Sequence, residues 1–346
     1  MLRKSLPMLL VMLMMFTFIS CDRQKVARYE GEFLQLFDTA TRIIGYTESR
    51  DAFEEYVQQF HDELEKYHQL YDIYNDYPNL NNIKTINDNA GIKPVKVDGK
   101  IIDLLDFGKE IYEVSEGQVN IALGAVLKIW HEYRETAINN PEKAKVPPME
   151  ILMSAAEHID IEDVIIDRKN STVFLRDPEM SIDVGGLAKG YATEQAGLFI
   201  QQKGLKDCLI SVGGNVRSFG YKGDGRQLWN IGIQNPDMGE DDLYTLQITN
   251  KSLVTSGDYI RYYTVDGKRY HHIIDPTTLM PSDYFRAVTI VCEDSGMADA
   301  LSTMLYNMPY EKGLKYIESL EDAQAVWIFP DGTKKYSQGF EEMLMQ

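Results

Sequence analysis

Reactive side chains gather first in Ser181-Ile182-Asp183-Val184-Gly185-Gly186-Leu187-Ala188-Lys189-Gly190-Tyr191. The run reads as a strand, a glycine turn and a helix start, with Asp183 before the turn and Lys189 at the helix entrance. Glycines let backbone approach a ligand closely, and a helix N-terminus offers free N–H groups and a positive dipole end. With a lysine beside it, such a turn can seat a phosphate or pyrophosphate. It reads equally as a buried turn whose lysine faces water. A second group lies in Gly296-Met297-Ala298-Asp299-Ala300-Leu301-Ser302-Thr303, where Asp299 and Thr303 stand four apart on one helix face. A carboxylate and a hydroxyl are hard oxygen ligands suited to Mg²⁺, with water and phosphate oxygens completing the shell. Spacing alone also fits a helix-surface hydrogen bond.

Between these groups lie Thr255-Ser256-Gly257-Asp258-Tyr259 and His271-His272-Ile273-Ile274-Asp275-Pro276. Adjacent histidines on a strand point to opposite faces, so at most one of them serves a given site. Either also reads as a hydrogen-bonded structural histidine.

The 346 residues carry 35 Lys and Arg against 53 Asp and Glu, a formal charge of −18. Such a surface argues against nucleic-acid binding and against adhesion to anionic lipid by charge. An anionic ligand must therefore be drawn locally, by a metal ion, a lysine or helix ends. At the N-terminus, Arg3 and Lys4 precede an apolar run from Leu9 to Ile19. That run is short for a membrane span and has the flanks of a secretory signal, with an uncleaved anchor as the alternative. Phe18-Ile19-Ser20-Cys21 resembles a bacterial lipobox, with Cys21 lipidated as the first mature residue. The expected organisation is a signal peptide over 1–20, a lipidated tether over 21–35 and one domain over 36–346. Its expected place is outside the cytoplasm, lipid-anchored to the bacterial cell membrane. Cys208 and Cys292 lie in apolar runs and read as core thiols.

The elements that must position these groups are legible in outline. Phe53, Tyr56, Val57, Phe60, Leu64 and Tyr67 recur at helical spacing over 51–72. Further helices are expected over 101–114, 149–158, 186–204, 295–308 and 311–320. Strands are expected at 209–212, 229–233, 246–248 and 287–292. Hairpins are expected for 164–166 with 173–175, for 260–265 with 268–274 around Asp266-Gly267, and for 325–329 with 334–337 around Asp331-Gly332. Strands joined through hairpins, with helices between groups, indicate an α+β fold.

The order Asp-Val-Gly-Gly-Leu-Ala-Lys-Gly-Tyr-Ala, Ser-Val-Gly-Gly-Asn-Val, Trp-Asn-Ile-Gly-Ile-Gln-Asn-Pro, Thr-Ser-Gly-Asp-Tyr, His-His-Ile-Ile-Asp-Pro and Ala-Asp-Ala-Leu-Ser-Thr resembles the ApbE family. These are bacterial FAD:protein FMN transferases, often exported lipoproteins, and the resemblance runs from Phe37 to Gly339-Phe340. It implies an ApbE-like α+β fold of mostly antiparallel sheets with packed helices in a single large domain. It implies Mg²⁺ on Asp299, Thr303 and the Gly186 carbonyl, with Mn²⁺ a possible occupant of the same oxygen site. Asp183 and Lys189 match FAD-contacting positions. Phe37-Asp38-Thr39 stands where the family often has Met-Gly-Thr, and Tyr74 corresponds to an aromatic stacked on the flavin. Gln118-Val119-Asn120 replaces a more usual Ala-Phe-Asp that contacts the cofactor, and Ile273, or its neighbour Ile274, falls where the family touches FAD.

The activity so implied is transfer of the FMN moiety of FAD to a Ser or Thr hydroxyl of an acceptor protein, with release of AMP. His272 and Asp258 are the candidates for the general base this needs. The acceptor would be a membrane or secreted redox protein bearing an Asp-x-x-Ser/Thr-Gly-Ala-Thr-like segment. Two alternatives share the motifs: an Mg²⁺-dependent FAD pyrophosphatase giving FMN and AMP, and a flavin-binding lipoprotein without turnover.

Overall fold

A computed structural model describes residues 26–223, 225–237 and 241–345. Cys21, the expected signal peptide and the start of the tether lie outside the described residues. The strands are β1 (Ala27–Leu34), β2 (Ala40–Thr47), β3 (Val95–Lys96), β4 (Val164–Asp167), β5 (Thr172–Leu175), β6 (Cys208–Val212), β7 (Asn215–Phe219) and β8 (Trp229–Ile233). They continue with β9 (Tyr244–Ile248), β10 (Ser252–Gly257), β11 (Tyr262–Val265), β12 (Lys268–His271), β13 (Ala287–Cys292), β14 (Gln324–Ile328) and β15 (Lys334–Tyr336). The helices are α1 (Arg50–Tyr71), α2 (Ile83–Asn87), α3 (Gly99–Val114), α4 (Gly124–Asn139), α5 (Met149–Ala155), α6 (Ala188–Lys203), α7 (Ser295–Tyr306) and α8 (Tyr310–Ile317).

Eight strands form an antiparallel sheet in the order β1-β2-β6-β7-β10-β13-β14-β15. Its middle is covered on both faces, so β13 is buried throughout and, apart from Thr289, apolar, as is most of β14. Val288, Ile290, Ala325 and Trp327 join α1, α6 and α7 in the main core. Val291 and Val326 point the other way, onto Trp229, Ile231 and Leu246 of the β8–β9 ribbon. The result is an α+β fold in one domain.

Helix α1 starts where the Ser49 hydroxyl accepts from Ala52 N, and it buries Phe53, Phe60, Leu64, Tyr67 and Tyr71. Small residues on α6 (Gly190, Ala192, Ala196, Gly197) bring it close to α7 and the sheet. A buried ion pair fixes this layer. Arg217 of β7 approaches Glu194 of α6 to 2.8 Å, and Ser295 N at the head of α7 donates to the same carboxylate at 2.8 Å. A second unit stands beside the sheet, where Trp130 of α4 stacks on Tyr270 of the β11–β12 hairpin. That hairpin turns through Asp266 and Gly267, both with positive φ, as its sequence requires.

Two corrections concern the N-terminal part and the helices. Residues 27–34, within the segment read as a tether, form edge strand β1 paired along its length with β2. Its core-facing side, Tyr29, Gly31 and Phe33, is only half-buried and alternates with the exposed Arg28, Glu30 and Glu32. Helix α4 and strands β2, β7 and β10 carry no prior expectation, and α6 begins at Ala188 rather than Gly186.

Replacing Arg217 with Met strands the buried Glu194 charge. The variant should lose about 3–5 kcal/mol of stability in denaturant unfolding; a loss below about 1 kcal/mol would show that the pair does not hold the layer.

Candidate active site

The start of α6 meets the middle of α7 at a backbone-to-carboxylate contact. Gly190 N donates to Asp299 Oδ2 at 2.7 Å. A Cβ on Gly190 would sit 2.4 Å from the Ser295 carbonyl oxygen and 2.4 Å from the Asp299 Cβ, so glycine alone permits this approach. One turn further along α7, Thr303 Oγ1 lies 3.7 Å from where a Cβ on Gly186 would stand. Asp299, Thr303 and Gly186 are thus gathered where α6 begins, and no side chain caps that helix start. Asp299 is 8% exposed. Burial raises its carboxyl pKa, against Lys189, the Gly190 N–H and the Asn215 amide. Asn215, 3% exposed, turns its amide to this carboxylate from the head of β7, but its Nδ2 falls short of hydrogen-bond geometry and meets no other partner. The Gly213-Gly214 turn with positive φ at both residues delivers Asn215 there, and Gly213 packs against Thr39 too closely for a Cβ. The donor set is carboxylate, hydroxyl and backbone carbonyl. It fits a hard divalent cation such as Mg²⁺.

Lys189 stands in the first turn of α6. Burial lowers its pKa, and the charge of Asp299 opposes that shift. Asp183 is held in the preceding turn, accepting from Gly185 N at 2.8 Å, while its own N donates to the Ile121 carbonyl. The Asn87 amide clamps both backbone groups of neighbouring Ile182. Burial raises the Asp183 pKa, and His131 and Arg134 oppose it. Asp183, Lys189 and His272 remain partly accessible although dense protein surrounds them, the situation of groups lining a cleft.

The hairpin decides between the paired histidines. His271 is buried, with Nε2 donating to the Ser282 carbonyl and Nδ1 accepting from Ile273 N, so both ring nitrogens are spent on structure. His272 lies on the other side, and its Nδ1 is 3.3 Å from the Arg261 carbonyl oxygen. A carbonyl only accepts, so Nδ1 carries the proton and Nε2 keeps its lone pair. Burial, then Arg261, His271 and Arg134, push the His272 pKa down to about 3. Arg261 enters the hairpin and His272 leaves it, so one element positions both.

At the far end of α1, the turn after Tyr71 is tied by Asp72, whose carboxylate accepts from Tyr74 N, Asn75 N and the Tyr77 hydroxyl. This leaves Tyr74 55% exposed, its ring 5.2 Å from that of His131. Phe37 adjoins the same end of α1. It holds a left-handed backbone (φ 51), its N donates to His68 Nδ1, and its ring meets His68 edge-on.

Other expected contacts fall outside this group. Val119 is in the core, and the Asn120 amide is spent on Ala122 N and the Ile159 carbonyl. Gln118 reaches only Thr277. Ile273 is 7% exposed, packed into the core. Asp258 faces Arg286 at 3.4 Å rather than His272. A cavity of about 420 Å³ lies on the opposite face of α7, between Tyr191, Met297 and Leu301, and none of the site residues lines it. His61, Asp62 and Glu65 also stand within 4.8 Å of one another, on the surface of α1. Arg134, His131 and Arg261, absent from the sequence expectations, complete the cleft.

Fold and site together define an α+β protein in which a buried carboxylate, a hydroxyl and a glycine turn meet beside a lysine, with an unprotonated histidine in the same cleft. Residues 37–327 match the ApbE family, and the chain belongs to it. It is 32% identical over 272 residues to a Klebsiella pneumoniae protein named FAD:protein FMN transferase, covering 75% of this chain and 80% of that one. A Treponema pallidum protein of the same name is 33% identical over 271 residues, covering 74% and 73%. The crystal structure of the ApbE protein of Thermotoga maritima superposes with a TM-score of 0.81 at 27% identity, over 92% of this chain and 100% of that one. The flavin transferase ApbE of Vibrio cholerae, at 22% identity and TM-score 0.75 over 92% and 100%, shares the fold.

Gly190→Ala drives a methyl group into α7. We expect a stability loss of about 1–3 kcal/mol and a weaker divalent-cation affinity by calorimetry. Unchanged affinity and stability would show that the α6–α7 contact is not as close as described.

Proposed function

We propose that the protein transfers the FMN half of FAD to a Ser or Thr hydroxyl of an acceptor protein, with Mg²⁺, releasing AMP. One observation carries this reading: in a chain of charge −18, Lys189 stands beside the buried Asp299 carboxylate at the start of α6, and the charges of Arg134 and Arg261 reach the neutral His272. None of the three forms an ion pair among the described residues, whereas Arg217 and Arg286 each hold a carboxylate, and cations left so in an acidic chain are suited to a bound anion.

The acceptor hydroxyl oxygen attacks the flavin-side phosphorus and forms a new P–O bond. Its proton passes to His272 Nε2, which the Arg261 carbonyl holds in the accepting tautomer. The bond to the adenylate-side phosphate breaks, and AMP leaves with the electron pair. When bound by Asp299, Thr303 and the Gly186 carbonyl, Mg²⁺ would neutralise pyrophosphate charge as it moves to the leaving group. Lys189 and the α6 start add fixed positive potential there. Asp258, committed to Arg286, is not part of this scheme. Tyr74 offers an exposed ring for the flavin.

The acceptor segment and the place of action belong to the same proposal. With Cys21 lipidated, five residues separate the anchor from Ala27, a reach of at most roughly 20 Å. The domain would then work close to a bilayer outside the cytoplasm, on membrane or secreted redox proteins.

The test is to incubate the protein with FAD, Mg²⁺ and an acceptor bearing Asp-x-x-Thr-Gly-Ala-Thr, then measure the acceptor's intact mass. A gain of one FMN moiety, lost with EDTA or without the acceptor threonine, is expected. Free FMN and AMP without mass gain would replace transfer by hydrolysis, and bound FAD with neither product would leave a flavin carrier. In the same assay Asp299→Asn should slow transfer by about 10³-fold; undiminished rate would remove the metal assignment.

His272 has a folded value of about 3, so it stays a free base throughout the neutral range. Consequently kcat/KM, which reports the free enzyme, should show no acid limb near pH 6.5, the ordinary histidine value. An inflection there that disappears in His272→Gln would contradict this.

A further inference from the structure

The cations of the cleft fall into two sets. Lys189 lies with Asp299, on the cation side. Arg134 lies with Tyr74 and Asp183, and its charge also reaches His272. Arg261 is felt by both sets. Neither Arg134 nor Lys189 has an ion-pair partner among the described residues, whereas Arg217 and Arg286 each hold a carboxylate.

Arg134 is also braced. One turn earlier on α4 stands His131, and Arg134 Nη2 donates to its Nδ1 at 2.9 Å. A guanidinium has no lone pair to offer, so His131 Nδ1 is the acceptor in this contact. The His131 ring in turn lies 5.2 Å from the Tyr74 ring at 34°, and Tyr74 is fixed by the Asp72 turn. Guanidinium, imidazole and phenol thus form one connected wall, anchored on two separate elements. Bracing of this kind removes side-chain freedom before a ligand arrives and leaves the remaining N–H groups of the fork for it.

We propose that Arg134 binds the flavin-side phosphate, the one whose phosphorus is attacked, while Lys189 and the Asp299 cation seat serve the adenylate side. This rests on the flavin-transfer reading and divides its pyrophosphate between two sets of residues. Arg134 stands on the Tyr74 side of the cleft, where the flavin ring would lie, and near the base that takes the acceptor's proton. A guanidinium there binds the equatorial phosphate oxygens and steadies the charge they gain as the new P–O bond forms. It gives the site a means of choosing a phosphorylated flavin over riboflavin.

The experiment measures binding of FMN, AMP and riboflavin, each with Mg²⁺, to the protein and to Arg134→Gln, Arg134→Lys and Arg168→Gln. The last removes the same charge from an exposed arginine paired with Asp103 and Asp106, and controls for long-range electrostatics. Loss of a charge-assisted fork should weaken FMN by about tenfold or more in Arg134→Gln. AMP and riboflavin should hold within about twofold, and Arg134→Lys should recover part of the FMN affinity. Unchanged FMN affinity would overturn the proposal, as would AMP weakened as much as FMN. Equal weakening of riboflavin would also overturn it, because the effect would then come through the Tyr74 wall. If the unaltered protein binds none of the flavins, the flavin-transfer reading fails and this proposal with it; flavin binding with an indifferent Arg134 removes the proposal alone.

Discussion

Everything chemical in this protein depends on how closely α6 can approach α7. The hydrogen bond from Gly190 N to Asp299 Oδ2 exists because position 190 has no side chain. It places a carboxylate in a nearly dry setting, at the end of a helix that presents positive potential. The buried Glu194–Arg217 pair and the Ser295 N–H lock the same two helices a turn away. A buried ion pair is weak evidence for net stability, but here it joins α6, the central sheet and the head of α7 at one point. The thiols Cys208 and Cys292 are spectators: both are buried, with burial pushing each up to about 12.

Around that contact the molecule reverses its own electrostatics. The surface is strongly acidic, but the cleft collects three cations and holds its histidine neutral. These features support one another. Arg261 and Arg134 help keep His272 unprotonated, and the Arg261 carbonyl selects its tautomer. The hairpin that carries Arg261 and His272 is attached to the rest through aromatic stacking on α4, and α4 also supplies His131 and Arg134. The two-stranded unit and its helix therefore form one side of the cleft, while α6, α7 and the sheet form the other.

The grouping of Asp299, Thr303 and the glycine turn was legible in the sequence because its signals are local. Four-residue spacing puts Asp299 and Thr303 on one helix face, and the glycine turn before Lys189 needs no tertiary knowledge to recognise. Asp266-Gly267 likewise announces its hairpin. The flavin end was less legible. Asn120 reads as a ligand because it occupies a contact position of the family, but its amide is consumed by neighbouring backbone. Arg134 and Arg261 drew no expectation from the sequence, since the lack of an ion-pair partner among the described residues is a property of the folded chain. The spacing of His131 and Arg134, one helical turn apart after Trp130, is a signal that could have raised them. Strand β1 does carry a strand's alternation, Ala27, Tyr29, Gly31 and Phe33 against Arg28, Glu30 and Glu32, but its charged face and its place at the sheet edge let it read as a polar tether.

The central claim is that Asp299, Thr303 and the Gly186 carbonyl form the divalent-cation seat on which the phosphate chemistry rests. Anomalous diffraction from crystals of the protein soaked in Mn²⁺ tests it most directly. The account predicts a strong peak among those three oxygens, beside the start of α6. A peak confined to the surface group His61, Asp62 and Glu65, or none near Asp299, would contradict it.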